Sequence, residues 1–172
     1  SVCCYPSSFI SFRTTKAIQE FAFVIQCSPT IRAFASQKTC KRRANAEAWL
    51  NKVMASKLPN PGRASLAPML SEEGKLKGDL TIFNWGDGTW WIMGSYYLRA
   101  WHMRWFNDHL TDGVSILDLG ENWAGFSLSG PKSKEVISRI TDFPVDELKF
   151  MGCAKMDIGL IKAKVGRISV TG

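Results

Sequence analysis

The stretch Leu66 to Phe83, LAPMLSEEGKLKGDLTIF, decides the architecture, because it sets one acidic residue, Asp79, between a Gly-containing turn and an apolar strand. Ser71-Glu72-Glu73-Gly74 supplies turn chemistry: hydroxyl and carboxylate groups that bond to nearby backbone, then a residue free to take positive φ. Leu80, Ile82 and Phe83 supply the branched and aromatic content of a strand whose start is Asp79. A carboxylate at a strand entrance, flanked by Gly78, can face a pocket, and Asp79 is the candidate catalytic residue.

Outward from that strand, the chain alternates helical and extended patterns. Ala46, Trp49, Leu50, Val53 and Met54 recur at helical spacing, and Leu58-Pro59-Asn60-Pro61-Gly62 stops that helix. Strands are expected at about 79–85 and 89–94, joined by Gly86-Asp87-Gly88 as a hairpin. Leu98, Trp101, Trp105 and Leu110 predict the inner face of a second helix. Strands at about 114–118 and 123–128 follow, then a third helix with Pro131 at its first position and Val136, Ile137 and Ile140 inward. A last strand or hairpin falls at about 155–170. The order β-β-α-β-β-α-β predicts an α+β fold, helices packed on a mainly antiparallel sheet.

Composition narrows the function classes. With 45% apolar and 22% charged residues, the 172-residue chain is ordinary for a globular protein, and it has no long uncharged apolar run to span a membrane. The net charge of +7 is concentrated in residues 1–43, where seven Arg and Lys face the single acid Glu20, so the remaining body is nearly neutral. Nucleic-acid binding by that body therefore lacks its main physical warrant. Four of five cysteines share the same segment without a C-x-x-C pair, so neither a zinc site nor a disulfide framework is indicated, and no metal is expected. All seven Trp lie at or after Trp49. This break predicts a boundary near residue 43: an unmatched basic segment, 1–43, that is not part of the native domain, and a domain over 44–172. The Ser/Thr/Arg-rich, acid-poor composition of residues 1–43 is also that of a mitochondrial transit segment, and a divergent extension of the same domain stays open as a third reading. The absent initiating Met and the ending at Thr171-Gly172 point to a fragment of a longer protein.

Four blocks resemble the folate-binding domain shared by the glycine-cleavage T-protein (aminomethyltransferase) and by dimethylglycine and sarcosine dehydrogenases. Pro68-Met69-Leu70, Gly74, Leu76 and Gly78-Asp79-Leu80-Thr81-Ile82 follow that family's P-M-L-x-x-x-G-x-[IL]-x-[GD]-D-[LF]-T-[IV]. AEAWLNKVMASKLPNPGR (Ala46–Arg63), LSGPKSKEVI (Leu128–Ile137) and the terminal RISVTG fall in the family's order. Gly78 stands where the T-protein usually has a second Asp, which leans toward the dehydrogenase branch.

The resemblance implies tetrahydrofolate as cofactor, a one-carbon unit derived from a methylated amine as substrate, and Asp79 as the carboxylate that orients the folate amines. It further implies that Met54 and Leu58 lie against the pterin, with Ile82 and the strand end Met93-Gly94-Ser95 as the facing wall. Arg167 is either a folate neighbour or one half of a buried charge pair. Val170 replaces a Tyr of the family's S-Y-T-G-E, and the following Glu falls beyond Gly172. FAD would belong only to a flavin domain of the full-length parent, in a bacterial cytoplasm or the mitochondrial matrix.

Two rival readings stay open. One is a folate-binding or repair-type module of the same fold without transferase activity; the other is a basic nucleic-acid-associated protein acting through residues 1–43. His102 and His109, seven apart on one predicted helix, read as surface or half-buried side chains. The Trp85, Trp90, Trp91, Trp101 and Trp105 group reads as packing rather than a base-stacking platform.

Overall fold

The elements of the computed structural model run in chain order as β1 (Cys3–Cys4), β2 (Glu20–Ser28), β3 (Arg32–Phe34), α1 (Cys40–Val53), β4 (Arg63–Leu70), β5 (Leu76–Asn84) and β6 (Trp90–Met93). There follow α2 (Arg99–Asp108), β7 (Ser115–Leu117), β8 (Asn122–Ser129), α3 (Ser133–Ser138), β9 (Gly152–Ile158) and β10 (Ile161–Ile168). The structure describes residues 3–4, 20–28, 32–34, 40–119 and 122–168, with side chains from residue 45 onward except at 96, 120–124 and 129. Ser169 and Val170 lie outside the described residues. The chain divides into two compact units, Ile31–Leu119 and Ser1–Thr30 with Gly120–Gly172.

In the unit Ile31–Leu119 the strands lie in the order β4-β5-β6-β3-β7, each pair antiparallel. Helix α1 forms as the spacing requires: Ala46, Trp49, Leu50 and Val53 are all buried, one stripe of a 3.6-residue period. Past its end, Met54 bridges Met69 of β4. The turn between β4 and β5 is the one read from the sequence. Ser71 Oγ donates to Glu73 Oε2 at 2.7 Å, the Gly74 amide donates to the Ser71 carbonyl, and Gly74 sits at φ +77°. The expected β5–β6 hairpin is present, with Gly86 and Gly88 both at positive φ.

Strand β4 is absent from the sequence reading, and Pro68 is the physical reason. A proline has no N–H for a ladder and argues against a strand. Here Pro68 contributes only its carbonyl, which accepts the Ala55 amide at 2.8 Å, so the missing donor leaves nothing unsatisfied on that side.

Helix α2 corrects part of a second expectation: Trp105 and Leu110 pack against the core, but Leu98 and Trp101 do not. Its buried residues are His102 and Phe106, while Trp101 and Leu98 are exposed and Trp105 is half-buried. The two indoles stack on each other, and Lys77 Nζ lies 5.9 Å and 5.5 Å from their ring centroids. Trp tolerates this flank because a cation covers its π face; the inward stripe goes to the smaller imidazole and the wholly apolar Phe.

In the other unit the order is β1-β8-β2-β10-β9, again antiparallel throughout. Glu20–Ser28, within the segment that the sequence leaves unmatched, pairs with β8 on one side and β10 on the other. The expected last hairpin is β9–β10, turning at Gly159 with φ +58°. Ile137 of α3 is buried with Val145, Leu148, Met156, Ala163 and Val165. Val136 and Ile140, expected inward, are exposed, and Pro131 lies before the helix rather than at its first position. A helix of only six residues has room for one inward side chain of that set. The α+β class and its antiparallel sheet are as the sequence implies.

Candidate functional site

Asp79 is the fourth residue of β5, and the pleat decides what surrounds it. Successive side chains of a strand point to opposite faces, so Gly78, Leu80 and Ile82 face one way and Asp79 and Thr81 the other. Gly78, Leu80 and Ile82 are buried. Asp79 is exposed. Among the described residues no hydrogen bond or ion pair ties down its carboxylate.

The register identifies its neighbours, because residues directly opposite on adjacent strands share a face. Asp79 stands opposite Pro68. One step along the same face, Thr81 stands opposite Leu66 on β4 and Met93 on β6, a row across three strands. Leu66 is 65% exposed, and Thr81 and Met93 are half-buried. A further step brings Phe83 opposite Ala64 and Trp91, with Trp85 stacked on Phe83 at 5.5 Å; all four are buried. This face thus grades from an open carboxylate, across an apolar row holding one hydroxyl, to a closed aromatic stack. Such a surface can bed a flat ring while the carboxylate accepts N–H groups from its edge.

Of the other expected contact residues, Met93 shares the Asp79 face and the rest fall elsewhere. Met54 is buried and Leu58 half-buried, both packed in the core cluster with Met69, Leu80 and Ile82. Ile82, fully buried, projects from the face of β5 opposite Asp79. Gly94 and Ser95 follow β6 and are exposed. Arg167, in the other unit, donates from Nη1 to the Leu148 carbonyl at 2.9 Å, a bond that holds its own unit's loop. Sequence reasoning missed Leu66: a lone exposed Leu is common, and only the register places it beside Thr81.

It also missed His102. The ring is 3% exposed, against the expected surface or half-buried state. Its Nε2 has no hydrogen-bond partner among the described residues. Loss of solvent lowers its pKa below the ordinary histidine value, with the Lys77 main chain pulling the other way.

An antiparallel α+β domain with an exposed carboxylate on a strand whose opposite face is buried is the class that these observations define. Residues 42–172 match the family described as the GCVT N-terminal domain, and the chain belongs to that family. It is 26% identical over 113 residues to an aminomethyltransferase from Natranaerobius thermophilus, covering 65% of this chain and 31% of that protein. Against an aminomethyltransferase from Geobacillus kaustophilus it is 28% identical over 128 residues, 73% of this chain and 35% of the relative. A human mitochondrial dimethylglycine dehydrogenase is 23% identical over 128 residues, 72% of this chain but 15% of the relative. The chain spans about a third of the length of the aminomethyltransferases it matches.

Proposed function

We propose that this chain carries part of a tetrahydrofolate-dependent domain for transfer of an aminomethyl or methylene unit, its folate-binding region lying within residues 44–172. The observation that carries the reading is the uncommitted Asp79 carboxylate beside the row of Leu66, Thr81 and Met93. The residues present fit a reduced pteridine: apolar side chains to lie against its flat ring, with a hydroxyl and a carboxylate to accept its ring-edge N–H groups. Tetrahydrofolate, when bound, supplies the amine nitrogen that collects the one-carbon unit. Asp79 orients that amine and stabilises positive charge next to it, an electrostatic role suited to a carboxylate with no competing partner. Leu66 and Met93 exclude water from the ring.

Gly78 before Asp79 favours the branch of dimethylglycine and sarcosine dehydrogenases, in which the one-carbon unit would come from a methylated amine oxidised by a flavin domain elsewhere in a longer parent. A bacterial cytoplasm or the mitochondrial matrix goes with that reading.

Titration of tetrahydrofolate into the wild-type chain and Asp79→Asn, followed by quenching of Trp fluorescence, tests the proposal. Loss of a hydrogen bond to a charged group is worth about 1.5–3 kcal/mol, so Asp79→Asn is expected to weaken binding by roughly 10- to 150-fold. Equal affinities would remove the assignment. Affinity that depends on Asp79 without any one-carbon transfer by a longer parent would instead favour a folate-binding or repair-type module.

A further inference from the structure

The burial of His102 has a geometric cause in the strand that bears Asp79. The imidazole lies against two residues without side chains. A Cβ placed on Gly78 would meet Nε2 at 2.9 Å and Cδ2 at 3.4 Å, with Met69 Cε at 3.2 Å. A Cβ on Gly94 would meet Nδ1 at 3.4 Å and Cε1 at 3.5 Å, with Leu80 Cδ2 at 2.5 Å. One edge of the ring therefore rests on β5 and the opposite edge on the segment that follows β6. Phe106, one turn along α2, and Trp101 hold the ring from the helix side, with centroids 6.4 Å and 5.5 Å away.

Filling space alone does not call for histidine here. An aliphatic side chain would occupy the same volume without burying a ring nitrogen whose only polar neighbour is the Lys77 main chain, at a geometry too poor for a proper hydrogen bond. What the imidazole offers is a rigid, flat body that fills the space a side chain on Gly78 would take and reaches across to Gly94. Gly78 is bonded directly to Asp79, so the height at which the ring holds Gly78 is also the height of the carboxylate on the far face of the strand.

We infer that His102 is a positioning residue for Asp79, acting through Gly78 across the thickness of β5. The inference rests on Asp79 being the ligand-contacting carboxylate. Gly78 acquires a reason on this view, since a side chain there would strike the imidazole, whereas at Gly94 it is Leu80 that leaves no room for one. The gap between Gly78 and the ring has no room for even a methyl group, and a close-packed core resists displacement of the strand.

The test is a double-mutant cycle in the full chain with Gly78→Ala, His102→Ala and the pair, read in two ways. The first needs no ligand: the amide and carboxyl NMR resonances of Asp79. The second is tetrahydrofolate affinity, with urea unfolding followed in parallel to confirm that each variant is folded under the conditions used. Gly78→Ala drives a methyl into the ring, so it is expected to shift the Asp79 resonances and weaken tetrahydrofolate binding about tenfold, as contacting residues couple by 0.5–3 kcal/mol. In the His102→Ala background the ring is no longer there to be struck, and the same substitution is expected to do little. Additive effects on the Asp79 resonances would overturn the inference. Coupled resonances with tetrahydrofolate affinity untouched, in these variants and in Asp79→Asn alike, would keep His102 as the positioning residue and remove the folate reading. Should His102→Ala fail to fold, His102→Gln takes its place under the same criteria, since it keeps a planar polar head but withdraws ring carbons from Gly94.

Discussion

The two faces of β5 do different work from one run of sequence. On the inner face Gly78, Leu80 and Ile82 are closed over by α1, α2 and β4 side chains. On the outer face Asp79 and Thr81 stay accessible, next to Leu66 and Pro68. A period of two residues is all that separates stability from chemistry, so neighbouring substitutions should sort into opposite phenotypes. The contrast also explains why a charged residue is tolerated amid so apolar a strand: its carboxylate never leaves water, whereas a one-residue slip in register would bury it.

The inner face should give the largest effect. Ile82→Ala removes a fully buried side chain from the middle of the core cluster and should cost about 2–5 kcal/mol in urea unfolding. Tetrahydrofolate affinity, measured where the variant is still folded, should change far less. A loss of affinity that outruns the loss of stability would mean that Ile82 reaches the ligand after all.

A smaller effect belongs to pH. His102 is buried with its pKa below the reference value of 6.5, so the unfolded chain takes up a proton near that pH which the folded chain refuses. Stability should therefore fall as pH drops below about 6.5, continue falling until the lower folded value is passed, and be unaffected by this group above 6.5. Urea midpoints at pH 7.5, 6.5 and 5.5 check the sign, and His102→Gln should flatten the fall. A variant with the same slope as wild type would assign the dependence to other groups.

The outer face should show the smallest stability change. Leu66→Ser at an exposed strand position is expected to shift unfolding by no more than about 0.5 kcal/mol, yet weaken tetrahydrofolate binding measurably, because the apolar row loses its most exposed member. The reverse pattern, a large loss of stability with affinity intact, would erase the distinction between the faces.

The same contrast shows what was legible in the sequence. The turn at Ser71–Gly74, the Gly86–Gly88 hairpin and the stripe of α1 were readable, because each depends on residues near one another in the chain. Asp79 as a strand residue was readable from the block around it, although the strand begins at Leu76, three residues before the expected start. Strand β4 was not, because Pro68 signals against a strand and only the Ala55 amide, thirteen positions earlier, explains its presence. Leu66 was hidden by its dependence on β4. The orientation of α2 was misread for a related reason: hydrophobicity places Trp inside, but which face turns inward depends on two glycines and a lysine brought up from β5 and from the end of β6. Composition set residues 1–43 apart, and it carries no information about Glu20–Ser28 lying between β8 and β10.

The most direct measurement is a paired comparison of wild type and Asp79→Asn, in which tetrahydrofolate dissociation constants and urea midpoints are taken on the same samples. Affinity should fall by at least about tenfold while the midpoint stays put, since an exposed carboxylate without a partner among the described residues contributes to the ligand and little to the fold. Unchanged affinity, or a fall in affinity matched by loss of the folded state, would contradict the account.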